Sequence, residues 1–160
     1  MELVLFEQIN GLGRIRLNRP KAINSLNTEM VRSIYDKLRE WERDGDVAVV
    51  CFSGEGDKGF CAGGDMKTLY DRKDADALRT AYDFFSTEYR MDWLIHHYPK
   101  PVIALMDGIV MGGGVGISMG AGHRIVTERT RWAMPEMNIG FFPDVGASWF
   151  LNRMPGFTGR

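Results

Sequence analysis

The chain has 160 residues, 44% of them apolar and 26% charged, with a formal net charge of -1. That size buries one real core, and a near-neutral balance without blocks of like charge leaves no electrostatic footprint for nucleic acid or an anionic membrane. No apolar stretch reaches membrane-spanning length and no leader-like segment opens the chain, so a cytoplasmic protein is the expectation.

Residues 3–9, the Asn10-Gly11 turn signal and residues 14–17 predict a β-hairpin ended by Pro20. Asn27 or Thr28 then caps a helix whose Met30, Ile34, Leu38 and Trp41 share one face, with Arg32, Lys37, Arg39 and Glu40 opposite and Asp44-Gly45 as the stop. The continuous apolar run 47–52 has the character of a strand covered on both faces, as in a parallel sheet with helical crossovers. A glycine-rich loop, 53–65, opens a short helix over 66–70, and a longer helix is expected from Ala75 to about Trp93. The break Pro99-Lys100-Pro101 returns the chain to a buried strand over 101–106, and another strand is expected over 123–127. Residues 131–144 look loop-like, with Glu136 and Asp144 each preceded by proline, and a last helix is expected over 145–153. Alternating strand, glycine loop and helix predict an α/β fold in which both glycine loops leave the C-terminal ends of parallel strands. Cys51 and Cys61 form no C-x-x-C pair and have no histidine at ligand spacing, so neither a disulfide nor a metal site is expected.

The stretch Met111-Gly112-Gly113-Gly114-Val115-Gly116-Ile117-Ser118-Met119-Gly120 follows the strand 101–106 and reads as a loop feeding a helix N-terminus. Unpaired N–H groups there, approached closely because glycine has no Cβ, make a candidate site for an oxyanion or a phosphate. Three chemistries compete for it. Gly116-x-Ser118-x-Gly120 formally matches a nucleophile elbow, but Ser118 falls well past the strand and His123 is too near in sequence to return as a base. Gly114-x-Gly116-x-x-x-Gly120 is a loosened dinucleotide fingerprint with Glu128 as its ribose acid, and a Walker loop is excluded because no Gly-Lys-Ser/Thr follows. In the third reading the backbone N–H groups of Gly64 and Gly113, each beginning a helix, converge on one carbonyl oxygen and stabilise the charge that develops on it.

The strings Phe60-Cys61-Ala62-Gly63-Gly64-Asp65, Asp107-Gly108-x-x-x-Gly112-Gly113-Gly114 and Pro135-Glu136-x-x-x-Gly140, with 18–27 near the N-terminus, resemble the enoyl-CoA hydratase/isomerase (crotonase) superfamily over nearly the whole chain. The resemblance implies a crotonase-like ββα spiral, here only its N-terminal core, since resembling proteins continue past residues 157–160 for a comparable length. It implies an acyl-coenzyme A substrate, no prosthetic group, and a possible homo-oligomer. By the same resemblance Gly64 and Gly113 are the oxyanion donors, Ala62, Asp65, Met66 and Lys67 line the adenine and pantetheine track, and Lys21 approaches a phosphate; a helix cap is the competing reading of Asp65.

Hydratases of that family carry two glutamates. This chain keeps the second as Glu136 but has Gly116 at the position of the first, while Asp144 stands nearby in Phe142-Pro143-Asp144-Val145-Gly146. That combination, with Glu88, resembles the 3-hydroxyisobutyryl-CoA hydrolase branch. The resemblance implies thioester hydrolysis in valine breakdown, with Glu136 attacking the carbonyl or activating water, Asp144 orienting the substrate hydroxyl or that water, and Glu88 contacting substrate. An enoyl-CoA hydratase or isomerase, or a non-catalytic acyl-CoA-binding module, are the alternatives.

Overall fold

A computed structural model describes residues 2–71 and 75–156. Residues 157–160, where the sequence reading expected resembling proteins to continue, lie outside the described residues.

The hairpin forms as expected. Strands β1 (Val4–Ile9) and β2 (Leu12–Leu17) pair antiparallel across Asn10 and Gly11. Both turn residues have positive φ, +49° and +84°, the geometry whose twist suits a two-residue hairpin. Helix α1 (Thr28–Arg43) is capped by the Asn27 side chain, which accepts from the Met30 N–H at 2.9 Å. It buries Met30, Val31, Ile34, Leu38 and Trp41. Lys100 closes its other end by donating to the carbonyls of Trp41 and Asp44.

Strand β3 (Val49–Gly54) begins two residues later than the apolar run suggested. Val47 is buried but sits in the turn after α1, its N–H donating to the Asp44 carbonyl at 3.3 Å. A residue can fill the core without joining a ladder, and an apolar run does not distinguish the two. With β5 (Val102–Met106) and β7 (His123–Val126), β3 completes a five-stranded sheet of order β1-β2-β3-β5-β7, parallel apart from β1. Strand β7 is the edge, and all four of its residues are exposed.

A second, three-stranded parallel sheet was read from the sequence as loop. It is built from β4 (Gly59–Cys61), β6 (Ile109–Met111) and β8 (Arg131–Ala133), in order β4-β6-β8. Three-residue strands show no periodicity, and glycine hides them further. A Cβ on Gly59 would lie 2.4 Å from the Ile109 nitrogen, so only glycine lets β4 lie this close to β6. The two glycine loops therefore leave the C-terminal ends of β4 and β6 in the small sheet, not directly those of β3 and β5.

After β4 comes α2 (Met66–Asp71), and α3 (Ala77–His96) runs three residues beyond the expected end. Helix α4 (Gly113–Gly120) follows β6 directly and packs against α3. Helix α5 is shorter than expected, Ala147–Phe150, continued by a 3-10 turn over Leu151–Arg153. Val145 and Gly146 have φ of +43° and +85°, left-handed geometry that cannot belong to a right-handed helix.

Asn24 ties the N-terminal segment to β4. Fully buried at φ +56°, it accepts from the Arg19 N–H at 2.9 Å and donates to the carbonyls of Glu55 and Gly59, each at 3.0 Å. Asn24→Ala leaves those three groups unpaired in the interior and puts alanine in left-handed backbone. A loss of about 3 kcal/mol is expected, read as a fall in the urea midpoint at constant slope. A change within about 0.5 kcal/mol would remove Asn24 from this role.

Candidate active site

A cavity of about 170 Å³ opens where the two glycine loops meet. Ala62, Gly64 and Met66 line it from the first loop, Gly112 and Gly113 from the second, Glu88 from α3, and Glu136 and Asp144 from the segment after β8. Phe84, Phe85 and Phe141 supply apolar wall, the last two stacked with ring centroids 5.8 Å apart. A larger hollow of about 870 Å³ lies between the end of α3 and Arg153, but it gathers none of these acids or loop amides.

The loops are fixed by backbone pairing. Leu26 donates to the Gly63 carbonyl at 2.8 Å and accepts from the Asp65 N–H at 2.7 Å, so Gly64 between them turns its own N–H to the other side of the segment. Gly113 begins α4, and its N–H is one of the four that an N-terminus leaves without an intrahelical partner. Gly63, at φ +102°, brings the loops together: a Cβ on it would lie 3.1 Å from the Met111 carbonyl oxygen and 3.4 Å from the Gly113 nitrogen. Two glycines from separate loops thus line one small cavity.

The acids press against the same glycines. A Cβ on Gly112 would lie 2.8 Å from Glu136 Oε1, and one on Gly113 would lie 2.3 Å from Glu88 Oε1. Glu88 and Glu136 are buried, and among the described residues Glu88 Oε1 and Glu136 Oε2 have no hydrogen-bond partner. Burial pushes the Glu88 carboxyl up to about 8, with the charges of Asp144 and Glu136 adding to the rise. Burial also raises Glu136; its own backbone N–H pulls the other way, and Asp144 adds to the rise. A carboxyl raised by burial suits proton transfer better than an ordinary surface carboxylate.

Asp144 does not cap α5 through its side chain. Its carbonyl accepts from the Ala147 N–H at 2.7 Å, while its carboxylate accepts from the Tyr89 hydroxyl at 2.7 Å. Burial and that hydrogen bond raise the phenol, so it remains a donor at neutral pH. Tyr89 lies beside Glu88 on α3, and nothing in the sequence pattern marked it.

The other expected contacts divide. Ala62 and Met66 line the cavity; Asp65, Lys67 and Lys21 do not. Asp65 pairs with Arg19 at 2.8 Å and accepts from the Thr68 N–H at 3.3 Å, the capping geometry. Burial alone would raise the Asp65 carboxyl, but Arg19 and Thr68 outweigh it and hold it low. Lys67 and Lys21 are exposed. Cys61 lies in β4 rather than in a loop; burial pushes its thiol up to about 12, and it approaches the Asn24 carbonyl at 3.3 Å, an inert packing cysteine.

The two competing readings of the glycine stretch lose their geometry. Ser118 is buried inside α4, and its hydroxyl donates to the Val115 carbonyl at 3.1 Å. Gly114, Gly116 and Gly120 serve contact: a Cβ on each would lie 2.5 Å from the Cys61 carbonyl oxygen, 2.6 Å from Asp92 Oδ2 and 3.0 Å from Ile95 Cγ2, respectively. Glu128 is exposed in the turn after β7.

The family model for enoyl-CoA hydratase/isomerase matches residues 12–160. The mitochondrial 3-hydroxyisobutyryl-CoA hydrolase of Danio rerio is 46% identical over 156 residues, covering 98% of this chain and 41% of its own length. The small ribosomal subunit protein mS47 of Neurospora crassa is 49% identical over 160 residues, covering 99% of this chain and 32% of its own. The crystal structure of a carnitinyl-CoA dehydratase from Mycobacterium thermoresistibile superposes with a TM-score of 0.95 at 47% identity, covering 99% of this chain and 46% of that one. The chain thus spans less than half the length of these similar proteins.

Proposed function

Because the chain belongs to the enoyl-CoA hydratase/isomerase (crotonase) superfamily, we propose that its cavity binds an acyl-coenzyme A and that the protein of which this sequence is the core hydrolyses the thioester, with 3-hydroxyisobutyryl-CoA as substrate. The observation that carries this reading is the convergence of Glu136 and Asp144 on the cavity lined by Gly64 and Gly113.

In this reading the thioester carbonyl oxygen lies between the two glycine N–H groups, which stabilise the negative charge that forms on it by roughly 3 to 4 kcal/mol each. Glu136 drives the addition, either by attacking the carbonyl carbon to give a mixed anhydride or by taking a proton from the water that attacks. The tetrahedral centre collapses, the C–S bond breaks, and the coenzyme leaves as thiolate and takes up a proton; on the water route this releases the acid directly, and on the anhydride route a water then cleaves the anhydride, releasing the acid and restoring the Glu136 carboxylate. Asp144, held by Tyr89, accepts from the substrate hydroxyl or from that water. No prosthetic group enters this scheme.

Gly116 favours hydrolysis over alkene hydration. A side chain there meets Asp92 Oδ2 at 2.6 Å and the Val145 Cβ at 2.9 Å, so α4 has no room at that position for a second carboxylate to hold water against a double bond. The alternatives are a hydratase or isomerase on another acyl-CoA and a module that binds without turnover. One set of measurements separates them: free-thiol release from 3-hydroxyisobutyryl-, 3-hydroxypropionyl- and crotonyl-CoA, loss of the enoyl absorbance of crotonyl-CoA, and equilibrium binding of each. Thiol release from the hydroxyacyl thioesters supports hydrolysis. Hydration of crotonyl-CoA overturns it in favour of the hydratase, and binding with neither reaction leaves the module.

A further inference from the structure

Asp92, a half-buried residue, lies one turn beyond Glu88 on α3, and among the described residues both its carboxylate oxygens are enclosed with no hydrogen-bond partner. The two acids face α4 in register. Glu88 Oε1 lies 2.3 Å from the Cβ position of Gly113, and Asp92 Oδ2 lies 2.6 Å from that of Gly116. On the far side of Asp92 a second cavity, of about 480 Å³, is lined by Trp93, His96, Val145 and Trp149, and no lysine or arginine among the described residues lines it.

We propose that Asp92 is a positioning residue of the site that works as an uncharged carboxylic acid, keeping Glu88 seated on Gly113 by sparing it a second full negative charge one helical turn away. The groups that act on Asp92 are, after burial itself, Glu88 on its own helix and Asp144 on the segment before α5, and all three raise it. Cys61 on β4 and Tyr89 on α3 feel its charge in turn, and His96 and His97 stand on the outer wall of the second cavity. Among the described residues neither oxygen of Asp92 is hydrogen-bonded, so its ionisation costs water that no hydrogen bond replaces. The proton on Asp92 therefore lowers the charge beneath the site.

The inference rests on the preceding reading only for the pocket being catalytic, since the state of the carboxyl is measured without substrate. In the uniformly ¹³C-labelled chain, through-bond Cβ–Cγ correlation assigns Asp92 without any variant. Its Cγ is expected at the protonated position at pH 7, moving to the carboxylate position only on the alkaline side. An ionised Cγ at pH 7 overturns the proposal. Asp92→Asn keeps the shape and the neutral state, so it is expected to leave the Glu88 titration within about half a pH unit of the parent and the Gly113 amide resonance unmoved. A fall in the Glu88 midpoint of about one pH unit or more means that Asp92 was charged, and also overturns it.

Stability gives a further arm. A carboxyl raised above its ordinary 3.8 contributes its full stability at and below that value and loses it as pH rises through the folded-state value. The parent is therefore expected to lose melting temperature on the alkaline side more steeply than Asp92→Asn. Parallel curves overturn the proposal. Should the variant fail to fold, the carbon shift of the parent still decides.

Discussion

Glu136→Gln is expected to reduce thiol release by about a hundredfold or more while leaving acyl-CoA affinity within a few-fold of the parent. The amide keeps the shape of the side chain, so Oε1 can still lie against Gly112 and the cavity wall survives. What it loses is the lone-pair basicity on which both routes depend, attack on the carbonyl and proton removal from water. Binding is expected to hold because, in the proposed reading, the main chain at Gly64 and Gly113 receives the carbonyl, and the apolar wall is supplied by Phe84, Phe85 and Phe141, none of which the substitution touches. The measurement is kcat by thiol release alongside Kd by titration calorimetry. Turnover close to that of the parent would remove Glu136 from the chemistry; loss of binding together with turnover would make it a structural carboxylate instead.

The second large effect falls on a glycine that touches no substrate. Gly114→Ala is expected to destabilise the fold by about 2 kcal/mol and to abolish thiol release. Its Cβ would lie 2.5 Å from the Cys61 carbonyl oxygen, 3.1 Å from the carbonyl carbon and 2.8 Å from the Cys61 Cβ. The nearest of those atoms belong to the β4 backbone, which cannot rotate aside, so α4 must retreat from the small sheet. Alanine is the better helix former by about 1 kcal/mol, but overpacking against fixed backbone costs up to about 3 kcal/mol, so the clash wins. Retreat of α4 carries the Gly113 amide away from Gly64 and undoes the paired donors. Gly122→Ala is the control: nothing lies within 4 Å of its Cβ position, and the urea midpoint is expected to stay put. Equal behaviour of the two variants would show that α4 has slack against β4.

The elements that were legible in the sequence are those whose side chains repeat. Met30, Ile34, Leu38 and Trp41 announced α1 because one face of a helix must be apolar for four turns, and Asn10-Gly11 announced the hairpin because both positions need positive φ. The small sheet was illegible for the opposite reason. Gly59, Ile109 and Arg131 begin three strands too short to show alternation, held by a close backbone approach that a sequence string does not display. At the site, the glycine loops stood out as helix starts, but their convergence came from resemblance rather than from spacing. Glu136 and Asp144 were visible because each follows a proline in a loop-like segment. Tyr89 and Asp92 were not, since a tyrosine and an aspartate on a long helix look like an amphipathic surface until α4, with glycine at 113 and 116, is laid beside them.

The uncovered strand at the margin of the large sheet bears on how the catalytic halves are held. Among the described residues strand β7 pairs on one side only, against β5, and all four of its residues are exposed, so its amides are expected to open at low cost. From there the chain runs through a four-residue turn into β8 and on to Glu136, whereas the Gly64 and Gly113 amides hang from β4 and β6, in the interior. Amide exchange is therefore expected to begin at the sheet margin and to reach the Glu136 segment before the loops that carry Gly64 and Gly113.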